Sequence, residues 1–140
     1  ASESKYPFVA IGPGTEGIAE ERIHGKGPLA HEELVTWFAH ARAVVVPSQI
    51  FENQPTVILE ALVFGVPVIA SMLGGIPETV GDAGILCEYE DRSAWIRAAQ
   101  DVECKIDDYR ARAAVRAKRF VSKQISRDWE ELFRSQDRSE

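Results

Sequence analysis

The stretch VVVPSQIFENQPTVILEALVFGVPVIAS, residues 44–71, constrains the fold more than any other part of the chain. It opens and closes on short runs rich in β-branched residues, the pattern of strands buried on both faces. Between them, residues 55–64 are apolar almost all round. Pro55 suits a first helical turn, where its missing N–H is not needed, while Gly65 and Pro67 supply a left-handed cap and a stop. Strand, helix and strand follow in immediate succession, which is how parallel strands are joined.

The rest of the chain repeats this grammar. Further strand-like runs are FVAI at 8–11, RIHG around Ile23, and GILC at 84–87, beside AVVVP at 43–47 and PVIAS at 67–71. Residues 31–40 read as a helix with Leu34, Trp37 and Phe38 on one face. After Glu90 the pattern turns helical, first at 92–102 and then in a charged stretch from 107 to about 134. In that stretch Ala111, Ala114, Val115, Ala117, Phe120, Val121, Ile125, Trp129, Leu132 and Phe133 supply apolar faces. The expected architecture is an α/β sandwich, a parallel sheet with helices on both faces, with residues 103–140 as covering helices.

At 140 residues, 45% hydrophobic and 27% charged, the chain has the balance of one globular domain. A net charge of −6 argues against nucleic acid as a partner, because phosphate backbones call for a basic face. No apolar run approaches the roughly 20 residues of a membrane helix, and the start ASESKYPF lacks the regions of a signal peptide, so a cytoplasmic location is expected. Cys87 and Cys104 stand outside any CxxC pattern and far from histidine, so both read as packing residues and no metal site is expected.

Gly12, Gly14 and Gly17 fit G-x-G-x-x-G directly after a strand, the pattern of a dinucleotide-binding turn. That motif needs a helix behind it. Too few residues separate Ile18 from the strand at Ile23 to hold more than a turn or so, which leaves a glycine-rich strand exit.

The helix at 55–64 begins just beyond strand AVVVP, at the carboxyl edge of the sheet, where open α/β folds bind ligands. Free amides of Thr56 and Val57, with the positive end of the helix dipole, suit a phosphate. Glu60 is the only charged residue between Glu52 and Glu78 and sits among Val, Ile, Leu and Ala, so it is expected to point inward. A carboxylate so placed needs donors, and a ribose diol can offer two, although a distant Lys or Arg would also serve. It lies on the order of 10 Å from the helix amides, room for a diphosphate. Glu52 then stands near a hexose. Gly74 and Gly75, after the next strand, permit close backbone approach to a ligand, and Pro77 and Glu78 read as the first turn of a short helix aiming more amides at the same edge.

These residues together resemble the donor domain of GT-B glycosyltransferases, the large retaining family (glycosyl transferases group 1) that includes sucrose and glycogen synthases and bacterial polysaccharide transferases. Pro47 and Ser48, the E-x7-E pair Glu52 and Glu60, EAL-x-x-G-x-PVIAS, GGIPE at 74–78 and GILC fall in family order, and GKGPLAHEEL before TWFAHARAVVVPS is a weaker match. The resemblance implies a Rossmann-like domain, half of a GT-B fold, that binds a nucleoside diphosphate sugar without a metal or other cofactor. It implies that Glu52 contacts the donor sugar at the reacting centre, that Glu60 holds the ribose, that Asn53, Gln54, Pro55, Thr56 and Val57 surround sugar and phosphate, and that Gly27, Pro28 and Leu29 lie beside the base.

Two departures stand out. Asn53, Gln54 and Pro55 replace the small pair that follows the first Glu in the family. The Arg and Lys that meet the diphosphate from an earlier strand and loop have no counterpart; Lys5 and Lys26 do not stand in that context. The resemblance therefore implies a longer protein, at least about twice this length, whose upstream part brings a central strand, those cations and an acceptor domain. Any peripheral membrane association would come through that half. A non-catalytic nucleotide-sugar-binding module and a nucleotide-sugar epimerase of the same fold are the alternatives.

Overall fold

The computed structural model describes residues 7–121. Within them, β1 (Phe8–Ala10), β2 (Ala19–Glu20) and β3 (Ile23–Gly25) are followed by α1 (His31–His40), β4 (Val44–Val46) and α2 (Thr56–Val63). Then come β5 (Val68–Ser71), α3 (Ile76–Val80), β6 (Gly84–Cys87), α4 (Arg92–Cys104) and α5 (Ile106–Ala117), with a 3-10 turn at Lys118–Phe120.

β5 is the axis of the domain. It pairs in parallel with β4 on one side and β6 on the other, and all four of its residues are buried. Its side chains alternate with the strand period of two. Val68 and Ala70 join the core formed with Ile58, Ala61 and Leu62 of α2, whereas Ile69 joins Cys87 and, from α4, Ala98 and Val102. Helices thus cover both faces of this sheet. On α2 the buried positions are 58, 61 and 62, the i, i+3, i+4 spacing of one helical stripe. Burying each large aliphatic side chain here contributes about 1.5–3 kcal/mol.

The strands fall into two three-stranded sheets, β1-β3-β2 and β4-β5-β6, where one parallel sheet was expected. β1 and β3 are parallel, but the two-residue β2 runs antiparallel to β3. No helix follows Gly12, Gly14 and Gly17; the chain turns back directly into β2, as the short spacing required.

Several local expectations change. Pro55 is the N-cap of α2 rather than part of its first turn, with φ −62° and ψ 124°. The proline ring holds φ but not ψ, and ψ decides between the two places. Trp37 remains 37% exposed, with the Lys26 ammonium 5.9 Å from its ring, while Phe38 beside it is buried and stacks on Phe64. Cys87 is buried, and burial pushes its thiol pKa up, but Cys104 at the end of α4 is exposed. On α5 the buried residues are Tyr109 and Ala113; Ala111, Ala114 and Val115 are exposed, because α5 packs on α2 rather than flat on the sheet. The expected apolar positions at 125, 129, 132 and 133 lie outside the described residues.

Tyr109 also ties α5 to α4, its hydroxyl donating to Asp101 Oδ2 at 2.8 Å. Burial first, and then that bond, raise the Tyr109 pKa to about 12. The folded state therefore holds this proton more tightly than the unfolded chain, so the linked stability is present below pH 10 and is lost between about pH 10 and 12. Denaturant titrations across that window should show stability falling as the pH rises. Tyr109→Phe should flatten that fall, and an equal fall in the variant would exclude Tyr109 as its source.

Candidate functional site

The site is assembled at the carboxyl ends of β4 and β5. Past β4, Ser48 Oγ donates to Glu52 Oε1 at 2.7 Å, with the Ile50 carbonyl a further acceptor at 3.2 Å. The hydroxyl fixes the Glu52 carboxylate at the mouth of the loop and leaves its other oxygen for a ligand. Glu52 is half-buried, while Asn53 and Gln54 are exposed.

Pro55 is buried, and its carbonyl accepts from the N–H groups of Ile58 at 3.1 Å and Leu59 at 3.5 Å. Ahead of these, the N–H groups of Thr56 and Val57 have no carbonyl within the helix to meet. No side chain caps this end, and no acidic residue lies in its first turn. Two donors and the positive end of the helix dipole are thus left for an anion or water. Glu60, four residues on from Thr56, is about 6 Å along the axis. It is half-buried rather than interior, and its carboxylate has neither hydrogen-bond nor ion-pair partner among the described residues. The distant Lys or Arg is not found there.

Gly74 and Gly75 do come to the same edge, but what they approach is the protein. The Gly75 N–H donates to the Glu52 carbonyl at 2.7 Å. A Cβ on Gly75 would lie 1.8 Å from the Asn53 carbonyl oxygen, and one on Gly74, at φ +58°, would lie 2.6 Å from the Glu52 carbonyl oxygen. The glycines thus let two loops lie backbone against backbone and set the position of Glu52. The expected second bank of amides also shrinks. In α3 the Ile76 N–H is bonded to the Leu73 carbonyl and Pro77 has none to give, which leaves that of Glu78.

Gly27, Pro28 and Leu29 follow β3 in a separate loop. Gly27 is buried there, its N–H bonded to Thr15 Oγ1 at 3.0 Å and its carbonyl to the Gly12 N–H at 2.9 Å. No hydrogen bond joins this segment to the Glu52 loop among the described residues.

Three contributors had no role assigned from the sequence, although Ser48 stood there as part of a motif. Ser48 orients Glu52, and its position four residues ahead was the available signal. Gln49 Nε2 donates to the Tyr89 hydroxyl, linking the loops after β4 and β6. Arg116 Nε donates to the Thr79 carbonyl at 3.1 Å, and its Nη2 to that of Glu78, capping α3 from a helix far along the chain. Among the described residues no cluster of three or more His, Cys, Asp or Glu is placed to hold a metal, and no helix is long and apolar enough to cross a membrane.

Chemically, the arrangement offers free N–H donors for an anion, a carboxylate without a partner for hydroxyl donors, and a second carboxylate held by Ser48. The sequence profile of the glycosyl transferases group 1 matches residues 2–103. The D-inositol 3-phosphate glycosyltransferase 1 of Catenulispora acidiphila is 37% identical over 103 residues, which is 72% of this chain and 23% of that protein. Among solved structures, the sucrose-phosphate synthase of Thermosynechococcus elongatus superposes with a TM-score of 0.66 at 29% identity, over 85% of this chain and 31% of that one. HepE of Anabaena, solved with UDP-glucose, superposes at 0.68 with 22% identity, over 92% of this chain and 41% of that one, a likeness of fold. The chain spans about a quarter of the length of the curated relatives it matches.

Proposed function

The chain belongs to the glycosyl transferases group 1 family, and from that premise we propose that it is the donor-binding part of a retaining hexosyltransferase acting with further polypeptide. Its fold is the Rossmann-like half of a GT-B glycosyltransferase. The observation that carries the proposal is Glu60: a half-buried carboxylate without a partner among the described residues, on the helix whose first N–H groups are free.

In this reading the diphosphate of a nucleoside diphosphate sugar lies against the N–H groups of Asn53, Gln54, Thr56 and Val57. Pro55, with no N–H, shapes the turn. Glu60 accepts from the ribose hydroxyls, Glu52 contacts the sugar, and Gly27, Pro28 and Leu29 flank the base. During transfer the bond from the sugar C1 to the phosphate oxygen breaks as the bond to the acceptor oxygen forms on the same face, and the acceptor proton passes to the departing diphosphate. Stabilising the charge on that diphosphate is the main catalytic contribution of these residues, and no metal is needed for it. Without the acceptor half the chain transfers little or nothing. A cytoplasmic location belongs to the same proposal.

Calorimetric titration with a panel of nucleoside diphosphate sugars tests it. One or more should bind saturably and be displaced by the matching nucleoside diphosphate. Failure of the whole panel to bind the folded chain would overturn the reading, and product analysis with and without an acceptor in the longer protein separates transfer from epimerisation.

A further inference from the structure

The glycine-rich loop after β1 has no helix behind it, yet it is tightly built. Gly12, Gly14 and Gly17 hold φ of +130°, +83° and +81°, and the loop they shape folds back over the segment that follows β3. The Gly12 N–H donates to the Gly27 carbonyl at 2.9 Å. The Thr15 hydroxyl donates to the Gly12 carbonyl at 2.8 Å and accepts from the Gly27 N–H at 3.0 Å. Gly25 lies directly under Thr15, where a Cβ would stand 1.7 Å from the Thr15 carbonyl oxygen. Residues 12–17 are thus clamped onto residues 25–27.

That clamp sets Glu16 against Gly27. A Cβ built on Gly27 would meet the Glu16 Cγ at 2.9 Å and its Oε1 at 3.3 Å, so this carboxylate stands where a side chain at 27 would begin. Glu16 is exposed and has neither hydrogen-bond nor ion-pair partner among the described residues. Lys26, next to Gly27, holds its ammonium 5.9 Å from the Trp37 ring instead.

An ionised carboxylate can only accept, and its two oxygens side by side answer two adjacent N–H donors. Among the common nucleobases guanine alone presents such a pair, its ring N1–H beside its 2-amino group. Uracil and thymine set their N3–H between two carbonyls. Adenine and cytosine each set an amino group beside a ring nitrogen that carries no proton. In all of these one carboxylate oxygen would face a lone pair.

We propose that Glu16 reads the base of the donor and selects a guanosine diphosphate sugar. Its carboxylate accepts from N1–H and from the 2-amino group of a guanine flanked by Gly27, Pro28 and Leu29. This rests on the reading of the chain as a donor-binding domain and adds to it which nucleotide is held.

Calorimetric titration of the full 140-residue chain with guanosine, inosine, uridine, adenosine and cytidine diphosphates tests it. Guanosine diphosphate should bind about tenfold or more tightly than each of the others, including inosine diphosphate, which lacks only the 2-amino group. Glu16→Ala should weaken guanosine diphosphate by about tenfold, erase its advantage over inosine diphosphate and leave uridine diphosphate unchanged. Glu60→Gln, by contrast, should weaken all of them alike, because the ribose is common to all. Equal affinity for guanosine and uridine diphosphates, with Glu60→Gln still weakening both, would overturn the base assignment and leave the donor reading standing. So would an advantage over inosine diphosphate that survives Glu16→Ala. Binding of no nucleotide at all would sink both readings. The inosine comparison is made on the parent chain, so its outcome does not depend on how the variant folds.

Discussion

A chain carrying Gly75→Val is expected to lose fold stability, and with it the site, instead of losing a ligand contact alone. The new Cβ would lie 1.8 Å from the Asn53 carbonyl oxygen and 2.8 Å from its carbon, and both are backbone atoms with no rotamer to change. Relief requires the loops after β4 and β5 to part, which breaks the 2.7 Å bond from the Gly75 N–H to the Glu52 carbonyl. Overpacking of this kind costs about 1–3 kcal/mol, and the lost bond adds about another 1. In a domain of this size the melting temperature should fall by on the order of 10 °C. Gly75→Ala should do almost as much, since the clash is with Cβ itself. Thermal unfolding followed by circular dichroism checks both variants. A melt within about 2 °C of the parent would mean that the two loops do not pack in this way.

Glu60→Gln should show the opposite profile, a loss of binding at nearly unchanged stability. Its carboxylate has no partner among the described residues, so removing the charge strands no cation there. With a nucleoside diphosphate bound, however, the charge-assisted bonds to the ribose hydroxyls weaken, at a cost of about 1.5–3 kcal/mol or a factor of roughly ten to a hundred in Kd. Calorimetry gives the affinity and urea unfolding the stability. An unchanged Kd in a folded variant would remove Glu60 from the site. A large loss of stability with affinity intact would give it a structural role, the pairing weighed from the sequence.

What the sequence determined by itself is whatever depends on near neighbours. The bounds of α1 at His31 and His40, the strand at Val68–Ser71, the helix after Pro55 and its end before Gly65, and the missing helix behind Gly17 all follow from periodicity and punctuation over a few residues. The placement of Thr56, Val57 and Glu60 along one helix came with them. Tertiary structure decided what depends on how distant segments meet. Gly75 reads as permissive turn chemistry until the Asn53 carbonyl arrives against it from another loop. The face of α5 that carries Tyr109 and Ala113 is buried because α2 lies there, and a charged helix with apolar residues on several sides does not specify which of them will be covered. Arg116 finds the end of α3 from 37 residues away. Strand pairing was equally beyond local pattern, because β-branched runs encode strands and not their neighbours: which backbone edges meet is settled across loops, and the separation into two sheets was foreshadowed by the family resemblance and not by any local residue.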